Sequence, residues 1–200
     1  MLNKRQKFYL VIKRLIDIFG SFLGIVILSF PMLIVAIITK LSSKGPILFK
    51  QERLGKNEVP FKLYKFRSMK FGSLEIAAEN LTVEEQRNMT TKWGRFMRKT
   101  SLDELPQLFN ILGGSMSFIG PRPCIDKDTG LTDARRSMNP SPYIIKPGLS
   151  GYAQIYMGRG HDPIRKAELD SYYVKHLSLW LDIKMFFMSF LVVFGLYKGR

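Results

Sequence analysis

From Ile18 to Thr39 the chain runs 22 residues without a charged side chain, from Ile18-Phe19-Gly20-Ser21 through Ala36-Ile37-Ile38-Thr39. At about 1.5 Å per residue, a helix of that length covers a hydrocarbon layer roughly 30 Å thick, so the pattern predicts a membrane element. A cleaved signal peptide fits less well, because the run exceeds the usual apolar core of about 7 to 15 residues and no Ala-x-Ala-like site follows. Two features bear on whether the element crosses. Pro31 removes a helical hydrogen bond at a cost of roughly 3 kcal/mol. It leaves 13 apolar-run residues before it and 9 from it onward, about 20 Å and about 14 Å of helix, neither long enough to cross alone. The flanks are basic on both sides, Lys4, Arg5, Lys7, Lys13 and Arg14 before and Lys40 and Lys44 after, and short positive flanks favour the cytoplasmic side. A kinked spanning helix and a helix-break-helix that enters and returns both fit, the latter with the Ser29 hydroxyl available to a carbonyl freed by Pro31. Asp17 is expected to pair with Lys13 or Arg14 at headgroup level.

The second apolar stretch, Leu177 to Tyr197, is interrupted by Asp182 and Lys184, and the uninterrupted piece from Met185 to Leu196 is too short to span. Trp180, Phe186, Phe187 and Tyr197 with Lys198 and Arg200 have the aromatic and basic character of a helix lying in the interface, against a competing reading as a buried core helix.

Between these two stretches the periodicity shortens. Ile47-Leu48-Phe49-Lys50-Gln51-Glu52 and Phe61-Lys62-Leu63-Tyr64-Lys65-Phe66-Arg67 flank Leu54-Gly55-Lys56-Asn57-Glu58, a pattern for a short hairpin. Residues 71–91, with Glu75, Glu79, Glu84 and Glu85, read as a solvated acidic excursion. Trp93 to Thr100 predicts a basic amphipathic turn of helix with Arg95 and Arg98 on one face. A helix from Glu104 to Leu112 lines up Leu105, Leu108, Ile111 and Leu112 and stops at Gly113-Gly114. Gly120-Pro121-Arg122-Pro123 is a rigid turn presenting one arginine. Irregular chain surrounds Pro140, Pro142 and Lys146-Pro147-Gly148 and ends near Gly158-Arg159-Gly160. Asp162-Pro163 then starts a last soluble helix as N-cap and first position.

Composition adds a direction. Hydrophobic residues make up 46% of the 200, enough for one compact domain, and no Pro/Gly/Ser-rich linker divides the chain. Thirty-one Lys and Arg against 16 Asp and Glu give a net charge of +15, which points to an anionic partner: a membrane surface, a nucleic acid or a phosphorylated substrate. The single cysteine, Cys124, rules out an internal disulfide and a multi-cysteine metal site, and reads as a small apolar filler.

The chemistry concentrates at Asp103-Glu104. Pro106 is tolerated only in a first helical turn, which makes Asp103 a good N-cap and puts Glu104 at the positive end of the dipole, an ordinary helix start. The same place suits phosphoryl chemistry. A carboxylate there is expected to stay ionised, and free N–H groups attract phosphate oxygens. An ionised Asp can attack phosphorus, and a neighbouring Glu can hold Mg²⁺ across a diphosphate. Such chemistry also needs cations, and Arg98, Arg122, Lys65 and Arg67 are candidates, although each taken singly reads as a solvated surface charge. With His161 and His176 the only histidines, other hydrolytic constellations are poorly supplied.

Several stretches together resemble the bacterial sugar transferase family, the small monotopic phosphoglycosyl transferases. They are Lys13-Arg14-Leu15-Ile16-Asp17, Tyr64-Lys65-Phe66-Arg67-Ser68-Met69, Ser101-Leu102-Asp103-Glu104-Leu105-Pro106-Gln107, Met116-Ser117-Phe118-Ile119-Gly120-Pro121-Arg122-Pro123 and Asp170-Ser171-Tyr172-Tyr173. The resemblance implies a mainly α fold with a few short strands in a single domain. Its parts would be a re-entrant membrane helix over about residues 14–40, a cytoplasmic catalytic part over 41–176 and an interfacial helix over 177–200. It also implies transfer of a phosphosugar from a UDP-sugar to polyprenyl phosphate at the bacterial inner membrane, starting a surface glycan, with membrane lipids and no nucleic acid as partners. Asp103 would be the nucleophile, Glu104 the Mg²⁺ ligand, and Lys65, Arg98 and Arg122 the phosphate holders, with Gly158 and Arg159 at the nucleotide. The chain departs from the family in having Ser29-Phe30-Pro31 in place of an adjacent Ser-Pro, Ser115 in place of an acidic residue, and Lys146-Pro147-Gly148 in place of Arg-Pro-Gly, where Lys loses the bidentate fork.

Overall fold

The computed structural model describes residues 2–70, 84, 88–125, 129–158 and 162–197. It is mainly α with a few short strands, as expected. The first element, α1, runs from Lys4 to Ser42. Its start is a capping box: Asn3 Oδ1 accepts from the Gln6 N–H at 2.8 Å and Gln6 Oε1 accepts from the Asn3 N–H at 3.0 Å.

The two separate pieces expected around Ser29 and Pro31 are not separate elements, since α1 continues through Pro31 for eleven more residues. Ser29 Oγ donates to the Val26 carbonyl at 2.7 Å. Packing explains the continuity. Gln6, Tyr9, Lys13, Asp17 and Ser21 before the proline, and Met32, Val35 and Thr39 after it, are buried at three- and four-residue spacing, and the partly buried Ile25 and Leu28 join the two runs on one face. Leu28 and Met32 meet the same cluster around Phe66 and Met97. Burying Met32 and Val35 is worth about 1.5–3 kcal/mol each, which offsets the roughly 3 kcal/mol cost of the proline.

Strands β1 (Leu48–Leu54) and β2 (Pro60–Phe66) form the expected antiparallel hairpin, in register from Leu48 opposite Phe66 to Leu54 opposite Pro60. After the acidic stretch, of which Glu75, Glu79 and Glu85 lie outside the described residues, come α2 (Lys92–Thr100) and α3 (Gln107–Gly113). Strand β3 (Ser117–Ile119) pairs in parallel with β4 (Gly148–Ser150). A Cβ at Gly148 would stand 2.1 Å from the Gly120 nitrogen, so the Lys146-Pro147-Gly148 turn needs its glycine to approach that backbone. Helix α4 (Thr129–Ser137) lies between these two strands in sequence, and α5 (Tyr152–Met157), α6 (Pro163–Lys175) and α7 (Leu179–Val193) follow. Asp162 caps α6 through the Ile164 and Arg165 N–H groups.

Both ends of α1 are tied to this body. Near its start, Gln6 Nε2 donates to the Val174 and Lys175 carbonyls at 3.1 and 2.9 Å. At its end, Arg67 donates to the carbonyls of the C-cap Ser43 and the following Lys44 at 2.7 and 2.8 Å, tying down the exit from the helix. Midway, Asp17 pairs with neither Lys13 nor Arg14. Its Oδ1 accepts from Ser117 Oγ and the Phe118 N–H at 3.0 and 3.1 Å, Arg14 donates to the Ile111 and Leu112 carbonyls, and Lys13 forms an ion pair with Asp182. Asp182 also accepts from the hydroxyls of Tyr9 and Tyr173, so α1, α6 and α7 share one buried carboxylate.

The face of α1 away from the body is apolar, with Phe8, Phe19, Ile27, Phe30 and Leu41 all more than 60% exposed. Helix α7 combines both readings of its sequence. Asp182 and Met185 are buried, while Trp180, Phe187 and Phe190 project outward. Lys198 and Arg200 lie outside the described residues. A contiguous apolar surface of this kind marks a lipid or protein contact.

Candidate active site

Asp103 does not cap a helix. Ser101 adopts the left-handed conformation (φ 57°) as the C-cap of α2, Leu102–Glu104 then form a single 3₁₀ turn, and α3 begins only at Gln107, with Pro106 in the N-cap place. The sequence-based start at Glu104 is thus three residues early, because the chain reverses at Ser101 and must complete a turn before α3 can begin. Its predicted end holds: α3 stops at Gly113 and Gly114 takes a positive φ.

Asparagine 110 sets α3 against the hairpin. Its Oδ1 accepts from the Tyr64 N–H at 3.0 Å and its Nδ2 donates to the Lys62 carbonyl at 2.8 Å. One residue further along β2, Lys65 Nζ reaches Glu104 Oε1 at 2.8 Å, and Arg122 Nη2 reaches the same oxygen at 3.0 Å. The Arg122 backbone is held in turn by Arg135, whose Nη1 donates to the Arg122 carbonyl at 3.0 Å while Nη2 and Nε bind Asp170 Oδ2. Asn110, Arg135 and Asp170 were not singled out for the site from sequence. The signals were an asparagine inside Leu-Phe-Asn-Ile-Leu, since a polar group in an apolar stripe needs a partner, and the place of Asp170 in one of the stretches that carry the resemblance.

Electrostatics separates the two carboxylates. Burial pushes Asp103 above the ordinary carboxylate range, the charge of Glu104 adds to this, and Lys65 and Arg98 pull the other way. Asp103 is therefore harder to ionise than a free carboxylate, where a helix N-terminus would make it easier. For Glu104 burial also favours the neutral form, but Arg122 and Lys65 outweigh it and hold the group down at about 2. Burial, with the Arg122 charge, lowers the Lys65 ammonium, against Glu104 and Asp103. One carboxylate is thus locked as an anion between two cations, and its neighbour is a buried, less stabilised and more basic carboxylate.

The structure brings together Asp103, Glu104, Lys65, Arg122 and the charge of Arg98. It does not bring Arg67, which is spent on the end of α1. Gly158 ends α5 with φ 60° and shares no described contact with the pair. Arg159 lies outside the described residues. No group of three or more His, Cys, Asp or Glu side chains among the described residues could hold a metal. Mg²⁺ is commonly held by one or two carboxylates plus substrate phosphates and water, a requirement the pair fits, and both hydrogen bonds described for Glu104 fall on Oε1.

A family model described as bacterial sugar transferase matches residues 8–196, and the chain belongs to that family. It is 40% identical over 184 residues to a UDP-N-acetylgalactosamine-undecaprenyl-phosphate N-acetylgalactosaminephosphotransferase of Aeromonas hydrophila, covering 90% of this chain and 43% of that protein. A UDP-glucose:undecaprenyl-phosphate glucose-1-phosphate transferase of Klebsiella pneumoniae is 39% identical, over 90% of this chain and 39% of its own length. The chain thus spans about two fifths of these relatives. An exopolysaccharide production protein of Rhizobium leguminosarum bv. phaseoli, 38% identical, is matched over 96% of this chain and 98% of its length.

Proposed function

We propose that the chain is a phosphoglycosyl transferase that moves a phosphosugar from a UDP-sugar to polyprenyl phosphate, with Asp103 as covalent carrier. A Asp103 carboxylate oxygen attacks the β-phosphorus, forming an acyl-phosphate bond as the bond from phosphorus to the bridging oxygen breaks and UMP leaves with that oxygen. A polyprenyl phosphate oxygen then attacks the same phosphorus and releases the Asp103 carboxylate, giving polyprenyl-diphospho-sugar. The observation that carries this reading is the contrast within the pair: a raised, buried Asp103 beside a Glu104 clamped by Lys65 and Arg122. A more basic carboxylate is a better nucleophile, and the charges of Lys65 and Arg98 favour its ionised form. Lys65, Arg98 and Arg122 orient and neutralise the diphosphate, which is most of what phosphoryl transfer asks of a protein. Mg²⁺ held by Glu104 would supply further charge neutralisation. The names of the relatives support the substrate classes.

The apolar face of α1 and the outward aromatics of α7 support a seat in the membrane. Because both ends of α1 dock on one body, both belong on one side of the bilayer, and on this reading α1 dips in and returns as one helix bent at Pro31, not as two separate pieces. We place that body on the cytoplasmic face of the bacterial inner membrane, where the basic flanks favour it and UDP-sugars are made. The test is a panel of UDP-sugars incubated with the purified protein and undecaprenyl phosphate. UMP release with at least one sugar supports the reading, and no UMP release with any, from protein verified as folded, contradicts it.

A further inference from the structure

At the far end of α3 from the carboxylate pair stands a second cationic group. Arg14 Nη2 and Lys146 Nζ both come within 3.3 Å of the place a Gly114 Cβ would occupy, so the two charges lean over one α-carbon. Arg14 is fixed there by its two bonds to the last carbonyls of α3, at 2.6 and 2.8 Å. Lys146 makes no hydrogen bond or ion pair among the described residues, and its ammonium is disfavoured by burial and by the charges of Arg14 and Lys56, with Asp17 opposing. The Asp17 carboxylate is engaged through Oδ1 by Ser117 and Phe118. Two cations thus meet over Gly114 with the charge of Lys56 also felt at Lys146, against the single carboxylate of Asp17, an excess of positive charge that a bound anion would neutralise.

The depth of the cluster names that anion. Arg14 lies on α1 between Val11 and Leu15, which are 62% and 52% exposed, four residues before the uncharged run begins. Side chains there sit at the headgroup layer if that run is in lipid. The seven residues of α3, about 10 Å of helix, lie between Gly114 and the 3₁₀ turn that carries Glu104.

We propose that Arg14 and Lys146, with the charge of Lys56 acting on Lys146, form a binding site for the phosphate of an anionic membrane lipid at the opposite end of α3 from the carboxylate pair. It stands on the membrane seat of α1 and is independent of the transfer chemistry. The full-length protein in detergent is titrated with phosphatidylglycerol and followed by native mass spectrometry. Lys146→Gln is expected to weaken the first lipid bound about tenfold, the scale of one charge-assisted hydrogen bond, and Lys56→Gln severalfold. Lys146→Arg and the exposed-charge control Lys62→Gln should bind like the unaltered protein, and millimolar inorganic phosphate should not displace the lipid. If Lys146→Gln lacks a cooperative thermal transition, Lys56→Gln carries the comparison alone. Equal lipid affinity in the Gln variants and the parent, the same loss in Lys62→Gln, or displacement by inorganic phosphate would overturn the proposal.

Discussion

Lys65 Nζ and Glu104 Oε1 lie 2.8 Å apart across 39 residues of sequence, and Arg122 shares the same oxygen. This clamp has a pH signature. The folded-state value of Glu104, about 2, is below its ordinary 4.5, so the clamp contributes stability that is fully present above 4.5 and is lost as pH falls toward 2. The size is about 3 kcal/mol at neutral pH. Glu104→Gln should therefore melt well below the parent at pH 7, with the two melting temperatures converging as the pH drops from 4.5 downward. A gap that persists unchanged at pH 3 would contradict the clamp.

Asp103 shifts the other way, and activity should record it. If the ionised carboxylate attacks phosphorus, turnover falls on the acid side as Asp103 protonates, at a pH above the usual carboxylate value. Arg98 holds that protonation down, so Arg98→Gln should move the acid limb of the pH–rate profile to higher pH. A profile that loses height without shifting would assign Arg98 to substrate binding alone.

The pair Arg135–Asp170 is buried on both sides and holds the Arg122 carbonyl from behind. Removing one partner of a buried ion pair strands the other, at about 3–5 kcal/mol. Asp170→Ala should lose that much in unfolding free energy and should also impair turnover in its folded fraction, because Arg122 loses its support. Normal thermal stability in this variant would refute the role.

Topology has a direct test in single cysteines. Lys4→Cys and Ser42→Cys place exposed thiols at the two ends of α1, while the native Cys124 is buried. In sealed membranes both should react with an impermeant maleimide from the same side. Reaction from opposite sides would refute re-entry.

Local features of the fold were legible in the sequence. The hairpin around Lys56-Asn57-Glu58, the Asp162-Pro163 start of α6 and the Gly113-Gly114 stop of α3 depend on neighbours a few residues away, which a linear pattern records. Asp103 and Glu104 were legible as a pair, but not their opposite electrostatics, which come from the burial of Asp103 and from Arg122 and Lys65 on other elements beside Glu104. Pro31 misled because its local cost is visible in sequence, whereas the stripe from Leu28 to Thr39 that offsets it exists only against Phe66 and Met97. Arg67 read as a phosphate ligand and proved to close α1, and Asp17 read as a headgroup pair and proved to hold Ser117 and Phe118. A charged side chain names its chemistry, and only the fold names its partner.

The central claim is the covalent role of Asp103, and trapping tests it most directly. The protein is incubated with Mg²⁺ and a UDP-sugar that supports turnover, without lipid acceptor, then digested and analysed by mass spectrometry. The account predicts one phosphosugar adduct on the peptide carrying Asp103, stoichiometric UMP release, and loss of both in Asp103→Asn. An enzyme that turns over with polyprenyl phosphate yet shows neither adduct nor UMP without it would contradict the account.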